Sequence, residues 1–129
     1  MGWAPQVEIL KHPSIGGVLF HSGWGSLIES LQFGHCLVLL PFIHDQALNA
    51  RLLVEKGLAL EIERSRDGSF SRQNISDSLQ KAMSSEEGRQ LRDKAKEVSS
   101  IFGDQKLHQD RYIGEFVKYL KNEIIKGER

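Results

Sequence analysis

Two apolar runs, each too short for a helix and each bounded by turn residues, organise the first half of the chain. Ile15-Gly-Gly-Val-Leu-Phe20 lies between Pro13 and Gly23, and Leu37-Val-Leu-Leu-Pro41 is apolar without a break. Continuous apolar runs of this kind predict strands of a parallel sheet, buried on both faces. Between them, Leu27, Ile28 and Leu31 share one face of a helix from Trp24 to Phe33, and Gly34 supplies a C′ stop. Ala47, Leu48, Leu52 and Val54 predict a helix from Asp45 to Lys56, ended by Gly57. Leu58 to Ile62 predicts a third strand, and a short helix over Val7 to Lys11 follows Pro5. Asp67-Gly68 marks a turn.

The second half is patterned for helices. Phe70 and Ile75 flank Ser71 as a hydrophobic staple around an N-cap, opening a helix through Leu79 and Met83. Ser84 with Glu87 has the spacing of a capping box. Leu91, Ala95, Val98 and Phe102 then recur at helical spacing up to Gly103. A last helix carries Tyr112, Ile113, Phe116, Val117, Leu120 and Ile124.

Strands alternating with helices predict an α/β fold with parallel pairing. Such sheets bind ligands beyond the carboxyl ends of their strands. The His21 to Ser26 turn follows the first strand, and His44 to Gln46 follows the second.

Composition narrows the classes. A length of 129 residues suffices for one domain with a modest core. Lys plus Arg and Asp plus Glu both number 17, so the formal charge is zero and no footprint for nucleic acid or a membrane surface exists. No apolar run approaches the roughly 20 residues of a spanning helix. The single cysteine, Cys36, favours a reducing compartment. No signal peptide is visible, and a cytoplasmic location is expected.

The turn between the first strand and its helix has the chemistry of an anion site. Gly23 and Gly25 let backbone approach a ligand, and the helix starting near Trp24 aims free N–H groups and a partial positive charge at it. Ser26 adds a hydroxyl and His21 a ring N–H. The same glycines equally suit a strand-to-helix turn that needs them for geometry alone. Trp3 offers a flat ring for stacking on a base, or a core tryptophan. Glu29, one turn further on, can accept from ribose hydroxyls as the acidic residue of dinucleotide sites does, or serve as an anion near a helix N-terminus. Gln6 can reach the same ribose, or stand exposed. Asp45 and Gln46 suit sugar hydroxyls, and Asp45 is also a candidate N-cap. His12, His35, His44 and His108 lack metal-ligand spacing, so no metal site is expected. Cys36 reads as a small buried hydrophobe.

Taken together, Trp3-Ala-Pro-Gln6, His21-Ser-Gly-Trp-Gly-Ser26, Glu29 and Asp45-Gln46 resemble the donor-binding PSPG box of plant family-one UDP-sugar glycosyltransferases. The helical tail is similar as well, so the likeness covers essentially the whole chain. The resemblance implies the C-terminal part of a GT-B glycosyltransferase: a partial Rossmann-like parallel sheet followed by C-terminal helices. Residues 1–64 would hold the donor box and the adjoining strand, and residues 65–129 the helices completing the donor domain. Trp3 and the Ala4 backbone would bind uracil, Gln6 and Glu29 the ribose, and His21 and Ser26 the phosphates, with Gly25 offering its N–H. Trp24, Asp45 and Gln46 would contact the sugar, and glutamine at the last position implies UDP-glucose. The donor is a substrate, and no cofactor is implied. Ser22 stands where the family commonly has cysteine, Gly25 where it has asparagine, and Cys36 where it has proline. Ser22 is expected to be neutral. The His-Ser-Gly-Trp-Gly form is similar to the subgroup that extends sugars already present on flavonoid or terpenoid glycosides.

The resemblance also implies a catalytic histidine and an acceptor pocket in an N-terminal domain that nothing here matches. No catalytic residue is therefore assigned, the chain alone is expected to be inactive, and its opening straight into the motif reads as a truncation. A non-catalytic nucleotide-binding fragment is the alternative, and self-association through exposed sheet edges a third possibility.

Overall fold

The computed structural model describes residues 2–127, so the outer ends of the two expected segments, at residues 1 and 129, lie outside it. Three strands, β1 (Gly17–Phe20), β2 (Cys36–Leu39) and β3 (Ala59–Glu61), form one parallel sheet in the order β1-β2-β3. Gly17 pairs with Cys36 and Phe20 with Leu39, while Leu37 pairs with Ala59 and Leu39 with Glu61. Among the described residues six α-helices accompany the sheet: α1 (Gln6–Lys11), α2 (Trp24–Gln32), α3 (Gln46–Glu55), α4 (Arg72–Ser84), α5 (Glu86–Phe102) and α6 (Gly114–Gly127).

The side chains of β2 alternate between two cores, as strand geometry requires. Leu37 and Leu39 pack with Leu27 and Leu31 of α2 and with Ala50 and Leu53 of α3. Cys36, Val38 and Leu40 face the other way, against Ile62, Ala82 of α4 and Leu91 of α5. Every residue of β2 is buried, matching its unbroken apolar run. Each fully buried leucine contributes roughly 1.5–3 kcal/mol. Val98 and Phe102, further along α5, reach the first core, so this helix joins both faces. Gly34 takes φ +70° past the end of α2, and a Cβ there would sit 3.3 Å from Lys96 Cα of α5.

Several details depart from the sequence reading. β1 is shorter than expected and only partly buried, with Leu19 41% exposed. It is an edge strand among the described residues, paired on one side only. The N-cap of α5 is Ser85 rather than Ser84, its hydroxyl accepting from Gly88 N–H at 3.0 Å. Asp45 occupies the N-cap position of α3 without capping it: its backbone is helical, and its carboxylate accepts from Asn49 Nδ2 at 3.1 Å. Ser71 caps α4 as expected, in a capping box closed by Asn74. Phe70, the expected staple, turns its ring to Phe42, with centroids 5.8 Å apart, while Ile75 packs on the second core. The last helical stretch opens with a π-helical segment, Leu107–Ile113, before α6. Every residue of α6 from Glu115 to Lys126 is exposed.

Candidate functional site

β1 and β2 end side by side, and both deliver the chain to the same carboxyl end of the sheet. Leu40 N–H donates to Phe20 O at 2.9 Å just past the last paired residues. From there one chain turns through His21-Ser22-Gly23 into α2, and the other loops through Pro41 to Asp45 into α3. Two hydrogen bonds stitch these turns together. Ser22, fully buried with φ +66°, donates its hydroxyl to Gln46 O at 2.8 Å. Asn49 Nδ2 donates to Ser22 O at 3.1 Å and, at the same distance, to the Asp45 carboxylate. Ser22, expected to be a neutral stand-in, thus fixes one turn against the other.

Gln46 also shapes its own loop. Its side-chain oxygen accepts from Phe42 N–H at 2.9 Å and from Ile43 N–H at 3.2 Å. The amide NH2 remains the group with which Gln46 can donate outward.

The second cluster lies across the start of α2. Gln6, the first residue of α1, donates from Nε2 to Glu29 Oε2 at 2.7 Å and to Ser26 Oγ at 3.1 Å. Trp3, Ala4, Gln6 and Glu29 line one open cleft of about 450 Å³. Trp3 is 95% exposed, which removes the core reading for it. Between the clusters, Gly23 caps α2 with its backbone, and the first helical bond runs from Leu27 N–H to Gly23 O at 3.0 Å. The N–H groups ahead of Leu27 therefore have no intrahelical acceptor and face the turn. A Cβ at Gly23 would come within 2.7 Å of His21 Nε2, so glycine lets the imidazole lie over the helix start. A Cβ at Gly25 meets nothing within 4 Å, so that position has open space before it. Trp24 is half exposed on the first turn.

The structure thus brings Trp3, Ala4, Gln6, Ser26 and Glu29 together, and separately Asp45 and Gln46. His21, Trp24 and Gly25 stand at the helix start that joins the two groups. Sequence reasoning missed Ser22 and Asn49. The Asp45–Asn49 spacing of four on one helix face was the available signal for the second. Another cleft, of about 130 Å³, is lined by Glu61, Glu63, Asp77 and Lys81, and its carboxylates would repel an anion. Burial pushes the Cys36 thiol above its ordinary value, with Arg92 pulling weakly the other way. Among the described residues there is no group of three or more His, Cys, Asp or Glu able to hold a metal, and no helix long and apolar enough to cross a membrane.

Comparison with known proteins fits this geometry. A family model described as UDP-glucoronosyl and UDP-glucosyl transferase matches residues 1–117. Soyasaponin III rhamnosyltransferase of Glycine max is 47% identical over 120 residues, covering 92% of this chain and 25% of that protein. UDP-glycosyltransferase 91C1 of Arabidopsis thaliana is 42% identical over 125 residues, covering 95% of this chain and 26% of that protein. The structure of Phytolacca americana UGT2 complexed with UDP-2fluoro-glucose and pterostilbene superposes with a TM-score of 0.78 at 31% identity, covering 98% of this chain and 29% of that one. The chain spans about a quarter of the length of the curated relatives it matches.

Proposed function

The chain belongs to the UDP-glucoronosyl and UDP-glucosyl transferase family, and from that premise we propose that it is the UDP-sugar-binding part of an inverting glycosyltransferase acting on small plant metabolites or their glycosides. Its parallel sheet and flanking helices are part of a GT-B fold. The observation that carries the reading is the hydrogen-bonded set Gln6, Ser26 and Glu29 beside an exposed indole. In this proposal uracil stacks on Trp3 and pairs with the Ala4 backbone. Glu29, oriented by Gln6, accepts from the ribose hydroxyls. The diphosphate lies over the N-terminus of α2, where the Gly25 N–H, Ser26 and His21 donate to it. Trp24, Asp45 and the Gln46 NH2 meet the sugar.

The division of labour follows. Residues 1–64 carry the donor contacts, and residues 65–129 complete the donor domain, α4 and α5 packing behind the sheet. Inversion needs a base within hydrogen-bond reach of the acceptor hydroxyl; in this proposal that base and the acceptor pocket belong to the part of the relatives' length that this chain does not span. A cytoplasmic setting suits the lone thiol. For the sugar, Gln46 favours glucose. Because the Glycine max relative is a rhamnosyltransferase, a rhamnosyl donor is the second reading.

Titration calorimetry of the chain with uridine, UDP and UDP-glucose tests this. UDP is expected to bind more tightly than uridine, and His21→Ala and Ser26→Ala to shrink that difference. A difference left intact in both variants would remove the phosphate assignment. Incubation with UDP-glucose and acceptor glycosides is expected to release no UDP from this chain alone.

A further inference from the structure

We propose that Arg64 is a positioning residue for the sugar half of this site, acting through the loop between β2 and α3; the inference rests on the donor-site reading above. Arg64 follows β3 and is half-buried. Its guanidinium donates from Nη2 to Pro41 O and from Nη1 to Gly68 O at 2.7 Å. The same group lies 5.4 Å from the Phe42 ring centroid and 5.0 Å from that of Phe70, and the two rings meet edge to face. Cations are attracted to aromatic faces at such distances.

The loop so gripped is the one that presents Gln46. Pro41 has no N–H to give, and the next two N–H groups, of Phe42 and Ile43, are spent on Gln46 Oε1. His44 then takes φ +51°, a left-handed conformation that few non-glycine residues adopt. Inside the loop the remaining bond is Gln46 N–H to Ile43 O at 3.2 Å, and its further support comes from outside it. Arg64 supplies them at Pro41 and Phe42, and Ser22 and Asn49 supply them at Gln46 and Asp45. Gln46 Oε1 is thereby held toward the loop and its NH2 outward. Lysine cannot replace this arrangement fully, because only the planar fork reaches two carbonyls while stacking.

The test combines amide hydrogen exchange with calorimetry on the full chain. In Arg64→Met, exchange at Phe42 and Ile43 is expected to quicken by about tenfold, on the scale of a lost charge-assisted hydrogen bond, while the β2 amides keep their protection. Affinity for UDP-glucose should fall by a similar factor and affinity for UDP should hold, with Arg64→Lys recovering part of the loss. If Arg64→Met loses β2 protection, Arg64→Lys is read by the same two measurements. Unchanged exchange at Phe42 and Ile43, or equal losses for UDP and UDP-glucose, overturns the inference alone. A wild-type chain that binds neither nucleotide overturns the donor reading and this inference with it.

Discussion

Trp3 touches little of its own chain, and that separates its two possible effects. An indole 95% exposed adds almost nothing to folding, so the cost of removing it is expected in ligand binding. Trp3→Ala is expected to weaken UDP binding by about 1–3 kcal/mol, the range for stacking on an aromatic side chain, with the thermal midpoint of the free chain unchanged. Trp3→Phe should lose less. Equal calorimetric affinities for the variant and the parent would remove the stacking role. Ser22 is the opposite case, a fully buried side chain whose hydroxyl is committed to Gln46 O. Ser22→Ala is expected to cost about 1 kcal/mol, the net worth of one intramolecular hydrogen bond, read as a lower denaturant midpoint. The candidate site residues were named from the resemblance of Trp3–Gln46 to a family motif, and the structure adds which of them lie together. The Ser22–Gln46 and Arg64–Pro41 pairs are 24 and 23 residues apart and leave no period in the sequence.

At the scale of elements, the apolar runs and caps placed every strand and every helix apart from the cap of α5 and the start of the last helix. The exceptions have local causes. Ser84 and Ser85 offer the same capping chemistry, and packing decides between them. A Cβ at Gly88 would meet Ala82 O at 2.3 Å and Lys81 O at 2.4 Å, so α5 begins pressed against the end of α4 with Ser85 in register to cap it. Ser85→Ala is expected to lower stability by about 1 kcal/mol and Ser84→Ala by much less; thermal melts of the two variants decide it, and equal losses would return the cap to Ser84. β1 illustrates the other limit. Its apolar run signals a strand, yet burial depends on what lies across its outer edge, which periodicity does not encode.

For the molecule as a whole, α6 is the outstanding surface. Ile113, Phe116, Val117, Leu120 and Ile124 form a stripe at helical spacing, and all are exposed. With the edge of β1, unpaired among the described residues, that stripe is expected to favour association. Sedimentation of the isolated chain is expected to show a concentration-dependent species heavier than the 14.6 kDa monomer; a compact monomer at all concentrations would exclude it. The direction in which the stripe looks is set upstream. The π-helical segment Leu107–Ile113 winds more residues into a turn than α6 does. Each residue there turns less than the roughly 100° of an α-helical residue, so deleting one is expected to turn Phe116, Leu120 and Ile124 about the helix axis by somewhat less than that. The seven residues of that segment therefore act as a phase setting, and a single-residue deletion there would redirect the whole stripe without altering any of its side chains.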